Sequence, residues 1–399
     1  MIYAISPEMA EATRLTNAGK LVEATALIQR LLQGQTGSGS ADTSSSSIID
    51  AEYETLGAAP QLAGAGVEVR PRAGLRETLR RLGAEAKATG FDIGAGIKAR
   101  PAPDPLPAGA TFASASYTNS AGTRHYKLYV PSKSHGKRLP LVVMLHGCTQ
   151  SPNDFAAGTG MNALAEEEGC LVAYPAQTAS ANAQKCWNWF KPEDQHRDQG
   201  EPSLIAGITR QIMRDHQVDP SRVYIAGLSA GGAAAAVMAA AYPDLYAALG
   251  VHSGLPAGAA SDIPSAFAVM RQGTGSSGQR VQFVPTIVFH GDQDATVNLR
   301  NGDAVVAAAI GSATGVRSTL QRGQAPGGLD YSRRVHADAS GRVLCEQWTI
   351  HGAGHAWSGG SLSGSYTDPR GPDAAREMLR FFAAHGQESV RQAGANHGM

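Results

Sequence analysis

The chain has 399 residues, which is room for one large domain or for two to three average domains of about 150 residues. Lysine and arginine number 34, aspartate and glutamate also number 34, and the formal net charge is zero. This balance excludes modes of action that depend on neutralising phosphate charge, such as nucleic-acid binding. Four cysteines are too few for a disulfide-stapled scaffold, and no run reaches the ~18 apolar residues of a membrane span.

The first 107 residues differ in composition from the rest of the chain. Apolar residues recur at helical spacing between Leu21 and Leu31, and Gly19 separates two such runs, which predicts a helical hairpin within residues 1–33. Residues 34–107 include a Gly/Ser-rich stretch and a proline-rich run, and they are predicted to be a weakly structured linker. Because the start lacks a basic region followed by an apolar core, no secretory signal is visible, and a cytoplasmic location is expected.

Residues 108–388 alternate between apolar runs and helical patterns, and residues 389–399 are expected to form a disordered tail. Runs such as LPLVVMLHG are apolar on both strand faces, as in the buried strands of parallel sheets. In chain order the predicted elements are strands at 112–118, 124–130 and 139–147, a helix at 154–168, a strand at 170–175, a helix at 201–217, a strand at 221–229 followed by an alanine-rich helix, strands at 246–254 and 284–291, a hairpin around 338–341, and a helix at 372–385. This alternation predicts an α/β fold with a mostly parallel central sheet flanked by helices.

Residues 227–231 read Gly-Leu-Ser-Ala-Gly, which has the form G-x-S-x-G. In such a segment the serine lies at a sharp turn between a strand and a helix, and the glycines let neighbouring backbone pass close. Here a predicted strand precedes the segment and a predicted helix follows it. Ser229 is therefore the predicted nucleophile, with a serine in an ordinary tight turn as the alternative.

A serine hydroxyl needs a base to remove its proton, and the base needs an acid to orient it. When a serine lies in such a segment, the acid and then the base follow it along the chain, each in a loop after a strand. Asp294 is the predicted acid because it lies further out in its loop than Asp292, which is expected to brace the turn. His355, in a glycine-flanked loop, is the predicted base, and His351 at the strand end is expected to be structural.

The oxygen that becomes negative during acyl transfer needs hydrogen-bond donors. One is expected from the backbone N–H of Ala230, the residue after the nucleophile. The second is expected from the loop after an early strand, where Gly147 lets the backbone turn so that the N–H of Cys148 faces the site. His146 precedes Ser229 in the chain and breaks the order of the catalytic groups, so a structural role is predicted for it.

Six segments stand in this order along the chain: LHGCTQ (145–150), CWNWF (186–190), GEPSLIAG (200–207), GLSAGG (227–232), HGDQDATV (290–297) and GHAWSGG (354–360). Together they resemble the polyhydroxybutyrate depolymerase-type esterases of the α/β-hydrolase superfamily. The resemblance implies the α/β-hydrolase fold and the catalytic residues Ser229, Asp294 and His355. It also implies hydrolysis of short-chain hydroxyacid esters, with feruloyl or acetyl esters of plant polysaccharides as the alternative, and no metal or organic cofactor.

The resemblance further implies that Cys148 and Cys186 form a disulfide beside the oxyanion loop. Cys170 and Cys345 lie in predicted strands and are expected to be free thiols. A disulfide points to an oxidising compartment, which conflicts with the location predicted from the N-terminus. The cytoplasm remains the predicted location, and an extracellular location, as for many members of the family, is the alternative.

Several of the few large aromatic residues flank the predicted site in sequence. Trp187, Trp189 and Trp357 are predicted to bind substrate, because indole rings suit the apolar methyl groups and repeated carbonyls of a polyester, with core tryptophans as the alternative. The charged segment 192–202 is expected to be a solvated loop and not a metal site. The expected partners are a polyester or small ester substrate, with association to polymer granules through the N-terminal segment.

Overall fold

The computed structural model describes residues 106–134, 136–274, 284–311 and 313–386, which all fall within one compact unit of the chain. The strands of its main sheet are β1 (Thr111–Asn119), β2 (Gly122–Val130), β3 (Leu139–Leu145), β4 (Leu171–Pro175), β5 (Val218–Leu228), β6 (Ala248–His252), β7 (Thr286–Gly291), β8 (Arg317–Gln324), β9 (Asp330–Ala337) and β10 (Val343–Ile350). They lie in the order β1-β2-β4-β3-β5-β6-β7-β10-β9-β8. From β4 to β10 neighbouring strands are parallel, and the pairs at both edges are antiparallel.

Helices cover both faces of this sheet. They are α1 (Pro152–Thr159), α2 (Met161–Glu168), α3 (Gly200–Asp215), α4 (Ala230–Ala241), α5 (Ile263–Gln272), α6 (Arg300–Ile310) and α7 (Ala374–Ala383). Successive side chains of a strand point to opposite faces, so Leu141 and Val143 of β3 join one buried cluster while Val142 and Met144 join the other. The first cluster also contains residues of α3, α4 and α6, and the second contains residues of α1, α2 and α7. The predicted α/β class is confirmed.

The structure differs from the predicted elements in several places. The helix predicted at 154–168 is two helices, because Gly160 between them adopts a φ of 65°. Elements α5, α6 and β8 were not predicted. Strand β8 is exposed along nearly its whole length and has no apolar alternation, whereas α5 buries only Ala266 although its apolar residues recur at helical spacing. The predicted hairpin at 1–33, the linker up to residue 105 and the tail at 389–399 lie outside the described residues.

Candidate active site

Ser229 lies at the junction between β5 and α4, where the chain turns sharply. Its backbone has φ 57° and ψ −121°, a conformation that residues other than glycine rarely adopt. A Cβ on Gly227 would overlap the backbone of Gly231, and a Cβ on Gly231 would overlap the carbonyl oxygen of Leu145 in β3. The two glycines therefore allow this turn to pack against its neighbours, and they hold Ser229 at the carboxyl edge of the sheet.

Asp294 and His355 form a hydrogen-bonded pair in the loops after β7 and β10. His355 Nδ1 lies 2.7 Å from Asp294 Oδ2, and Asp294 Oδ1 accepts from the N–H groups of Thr296 at 2.9 Å and Val297 at 2.8 Å. The Asp294 side chain is fully buried and that of His355 is 13% exposed. Burial alone raises the pKa of Asp294, but the hydrogen bond and charge of His355, with the backbone donors, bring it below its ordinary value. Asp294 is thus an ionised carboxylate that orients the imidazole ring.

Parallel strand pairing brings Ser229 and this pair to the same edge of the sheet. The strands β5, β6, β7 and β10 are neighbours whose carboxyl ends lie side by side. The N–H of Ser229 donates to the carbonyl oxygen of His252 at 2.9 Å, and burial lowers the pKa of the His252 ring to about 3. In the described part of the chain, neither the Ser229 hydroxyl nor Nε2 of His355 has a hydrogen-bond partner.

The loop after β3 packs against the turn that carries Ser229. A Cβ on Gly147 would lie 3.5 Å from the carbonyl oxygen of Leu228, and Cys148 packs on the apolar cluster that contains Ala230. Among the described residues, neither the backbone N–H of Cys148 nor that of Ala230 has an acceptor within the protein. Two unpaired amides, one of them at a helix N-terminus, are the kind of donors that an oxyanion requires.

Covalent and hydrogen bonds hold this loop in place. A disulfide joins Cys148 to Cys186, which confirms the predicted pairing. Gln150 accepts the N–H of Gly147 on Oε1 at 2.9 Å, and its Nε2 donates to Asp154 Oδ2 at 3.1 Å. Gln150 was not among the predicted site residues, although an amide side chain three residues after the loop glycine is a usable signal for such a contact.

The ring of His146 is buried beneath the same loop. Its Nδ1 lies 2.8 Å from the carbonyl oxygen of Gly147, and its Nε2 accepts the N–H of Gln177 at 3.1 Å. Burial lowers the pKa of His146 to about 4, so the ring is neutral at neutral pH. This arrangement agrees with the structural role expected for His146.

The three tryptophans lie beneath the surface instead of lining it. Trp187 is fully buried and donates from Nε1 to the carbonyl oxygen of His146 at 3.1 Å. Trp357 is 1% exposed and stacks on His252 with ring centroids 5.1 Å apart. Trp189 is 6% exposed and belongs to the buried cluster around Ala230. The prediction that Trp187 and Trp357 bind substrate is therefore wrong, because buried rings offer no face to a polymer, and Trp189 offers little.

A buried carboxylate that the sequence does not reveal organises the CWNWF segment. Glu201, in the first turn of α3, accepts from the N–H and the Nδ2 of Asn188, each at 2.8 Å, and from Nε2 of Gln177. Arg124 of β2 lies 3.5 Å from it, and burial leaves the pKa of Glu201 above its ordinary value. Asp194 accepts the N–H of Glu201 at 2.7 Å and is itself buried, which corrects the expectation that the preceding loop is solvated throughout.

Within the described residues, no group of three or more His, Cys, Asp or Glu side chains is arranged to hold a metal ion. The described helices are also each too short or too polar to cross a lipid bilayer.

Residues 124–322 match the family model described as Esterase PHB depolymerase. The chain belongs to the polyhydroxybutyrate depolymerase family of esterases. The matched region includes Ser229 and Asp294, whereas His355 lies beyond it. The hydrogen bond between Asp294 and His355 therefore joins the region that the family model covers to a later part of the chain.

Curated relatives of this family member include two bacterial depolymerases. Poly(3-hydroxyalkanoate) depolymerase C of Paucimonas lemoignei is 36% identical over 251 residues, which are 60% of this chain and 59% of that protein. Poly(3-hydroxybutyrate) depolymerase of Ralstonia pickettii is 27% identical over 261 residues, with coverage of 61% and 53%. A probable acetylxylan esterase A of Aspergillus fumigatus is 34% identical over 142 residues, with coverage of 35% and 37%. The chain thus spans between half and two thirds of the length of the two depolymerases.

A solved structure gives independent support for the fold. The acetyl xylan esterase from Aspergillus awamori aligns with a TM-score of 0.51 and 18% identity, over 68% of this chain and 99% of that one. Together with the strand order and the turn at Ser229, this likeness establishes the α/β-hydrolase fold that the resemblance implied. At this level of identity it says nothing of the substrate.

Proposed function

We propose that the chain is a serine esterase that hydrolyses short-chain hydroxyalkanoate esters of the polyhydroxybutyrate type. The proposal depends above all on one arrangement, the buried Asp294–His355 pair at the sheet edge where Ser229 occupies its strained turn. A nucleophile, a base oriented by an ionised acid, and unpaired amides nearby are the groups that acyl transfer through a serine ester requires. The relatives named as depolymerases support the substrate class.

In the first step, Ser229 Oγ attacks the carbonyl carbon of the ester while Nε2 of His355 takes the hydroxyl proton. The π electrons of the carbonyl move to its oxygen, which accepts hydrogen bonds from the amides of Cys148 and Ala230, worth about 3–4 kcal/mol per donor in comparable sites. The intermediate then collapses, the ester C–O bond breaks, and His355 gives its proton to the leaving alcohol. For this transfer Nε2 of His355 and the hydroxyl of Ser229 have to lie within hydrogen-bond reach of each other.

In the second step, water attacks the acyl-enzyme. His355 takes a proton from the water, the same two amides hold the new oxyanion, and the bond to Ser229 Oγ breaks as the proton passes to it. Asp294 stays ionised throughout, since its pKa lies below the ordinary value, and it stabilises the imidazolium form of His355. The products are a hydroxy acid and the regenerated serine.

Two substrate classes compete for this site. Similarity to the depolymerases covers 60–61% of the chain, whereas similarity to the acetylxylan esterase covers 35%, and this difference favours the polyester. A carbohydrate esterase acting on feruloyl or acetyl esters is the second candidate.

The test compares the wild-type chain with Ser229→Ala on a short p-nitrophenyl ester and on labelling by a fluorophosphonate. We expect both turnover and labelling to be lost, and labelling that persists in the variant would overturn the assignment of Ser229. A panel of polyhydroxybutyrate film, feruloylated polysaccharide and acetylated xylan then separates the substrate classes. Release of ferulate or acetate without release of hydroxybutyrate would favour the second candidate.

We further propose that the chain associates with polymer granules through its N-terminal segment. The test compares the full chain with a version that begins at residue 106, on soluble ester and on granules. We expect equal rates on soluble ester and a lower rate on granules for the shorter version. Equal rates on both substrates would contradict the granule role.

The disulfide between Cys148 and Cys186 bears on the cellular compartment in which the enzyme works. A stable disulfide is typical of oxidising compartments and would fit an extracellular enzyme, whereas the location we propose is the cytoplasm. Non-reducing mass mapping of the protein isolated from its own cells decides between the two. Free thiols at both positions would support the cytoplasmic proposal, and an intact bond would support the extracellular alternative.

A further inference from the structure

A second histidine–aspartate pair lies beside the proposed catalytic pair, in the same two loops. His351 Nδ1 lies 2.9 Å from Asp292 Oδ2, and His351 Nε2 lies 2.8 Å from Ser332 Oγ on β9. Serine, histidine and aspartate thus stand in a row, and each imidazole nitrogen faces the residue type that it faces in a catalytic triad. The arrangement therefore raises the question whether it is a second active site or serves the first one.

The surroundings of Ser332 are those of a sheet residue and not of a nucleophile. Ser332 lies inside β9, in register with Arg322 of β8 on one side and Thr349 of β10 on the other, so its strand is paired on both edges. The N–H of Gly352, the amide next to His351, already donates to Asp292 Oδ1 at 2.8 Å. Without unpaired amides at hand, this row has no means to stabilise an oxyanion.

The loops that Asp292 and His351 join are those that carry the proposed acid and base. Asp292 lies two residues before Asp294, and His351 lies four residues before His355. Within the described residues, the side-chain hydrogen bonds between the two loops are the Asp294–His355 bond itself and the bonds to the Asp292 carboxylate. Removing the second pair therefore leaves the catalytic hydrogen bond as the single side-chain link between these loops.

We propose that Asp292 and His351 are positioning residues, which hold the Asp294 loop against the His355 loop so that the catalytic imidazole keeps its orientation. This inference rests on the proposed function. Because a misplacement of about 1 Å in a catalytic group can cost up to about 10²-fold in rate, a clamp of this kind acts on kcat. Neither residue is assigned a contact with substrate, so KM is expected to stay unchanged.

The experiment measures kcat and KM of the full chain on a soluble p-nitrophenyl ester, together with Tm. For His351→Ala we expect kcat to fall about tenfold with KM within about twofold of the wild type. For His351→Asn we expect kcat within about threefold of the wild type, since its amide nitrogen takes the place of Nδ1 and donates to Asp292. For His351→Gln, whose amide takes the place of Nε2 and reaches Ser332 instead, we expect the low kcat to persist.

A matched control separates positioning from general stability. Arg342 and Asp338 form an ion pair of 3.3 Å in the turn between β9 and β10, with side chains 40% and 23% exposed, against 42% and 27% for His351 and Asp292. Arg342→Ala is expected to lower Tm by a similar amount and to leave kcat unchanged.

Three outcomes would overturn the proposal. The first is a wild-type kcat in His351→Ala. The second is a kcat in the Asn variant no higher than in the Gln variant, and this comparison stands even if the alanine variant fails to fold. The third is an equal loss of kcat in Arg342→Ala. Failure of the proposed function is recognised separately, because Ser229→Ala would then still turn over the same ester.

Discussion

The two histidine–aspartate pairs use the same chemistry in different surroundings. The distance from Nδ1 to the carboxylate is 2.7 Å for His355 and Asp294 and 2.9 Å for His351 and Asp292. The first pair is 13% and 0% exposed, whereas the second is 42% and 27% exposed. A hydrogen-bonded pair is therefore not enough to identify a catalytic base.

Surroundings account for the different roles of the two pairs. His355 follows β10 at the sheet edge that also carries Ser229, where the backbone N–H groups of Cys148 and Ala230 have no acceptor among the described residues. The ring of His351 is hydrogen-bonded to Ser332, which lies inside β9, a strand paired on both sides. In a buried site an electrostatic contact is stronger than in water, so both burial and the donors for the oxyanion favour the first pair.

The largest expected effect comes from the two aspartates compared side by side. Asp294→Asn should lower kcat about 10³–10⁴-fold, because an amide in place of the carboxylate neither fixes the reactive tautomer nor stabilises the imidazolium. Asp292→Asn should lower kcat only about tenfold, since it loosens the loop without touching the reacting groups. Steady-state kinetics on the soluble ester measure both. Equal losses would mean that the two pairs do not differ in role.

A smaller effect on kcat is expected when the disulfide beside the oxyanion loop is removed and the Asp294–His355 pair is left intact. In the double variant Cys148→Ser and Cys186→Ser, the oxyanion loop loses its covalent link to the CWNWF segment. We expect kcat to fall about 10–100-fold, less than the 10²–10³-fold typical of losing a donor outright. As a control, a thiol reductant should lower the wild type to the same rate and leave the variant unchanged. A double variant with wild-type kcat would show that the loop holds its shape without the disulfide.

The smallest effect concerns a buried histidine whose ring has no carboxylate bound to it. Burial lowers the pKa of His146 from 6.5 to about 4. Between these values the unfolded chain binds a proton that the folded chain does not, so the free energy of unfolding falls as pH drops. The loss from this residue is about 1.4 kcal/mol for each pH unit below 6.5. Urea unfolding of the wild type and His146→Gln at pH 7, 6 and 5 measures it, and identical pH slopes would contradict this account.

Much of the fold could be predicted because its signals are local. Continuous apolar runs mark the central strands, since a strand buried on both faces has no polar side to show. The turn at Ser229 could be placed because Gly227 and Gly231 are required where backbones approach closely. Strand β8 escaped prediction because it buries little and shows no apolar alternation. Helix α5 was missed although Ile263, Ala266, Phe267 and Met270 recur at helical spacing.

Contacts between distant residues account for what the sequence could not reveal about the site. Glu201 accepts the N–H of Asn188, and Gln150 accepts the N–H of Gly147. The residues next to them in the sequence do not predict these partners. The same holds for His351, whose two partners come from β9 and from the loop after β7. Trp187 and Trp357 carry the residue type that a polyester site would use, but folding buries them.

The α/β alternation, the glycine-framed serine and the order of serine, aspartate and histidine can all be read from spacing along the chain. Folding alone settles which amides of the described residues lack partners, which tryptophans are buried, and which of two similar histidine–aspartate pairs is the more deeply buried. These properties depend on what other strands and loops bring to the same edge of the sheet, and side-chain burial and long-range hydrogen bonds exist only once the chain has folded.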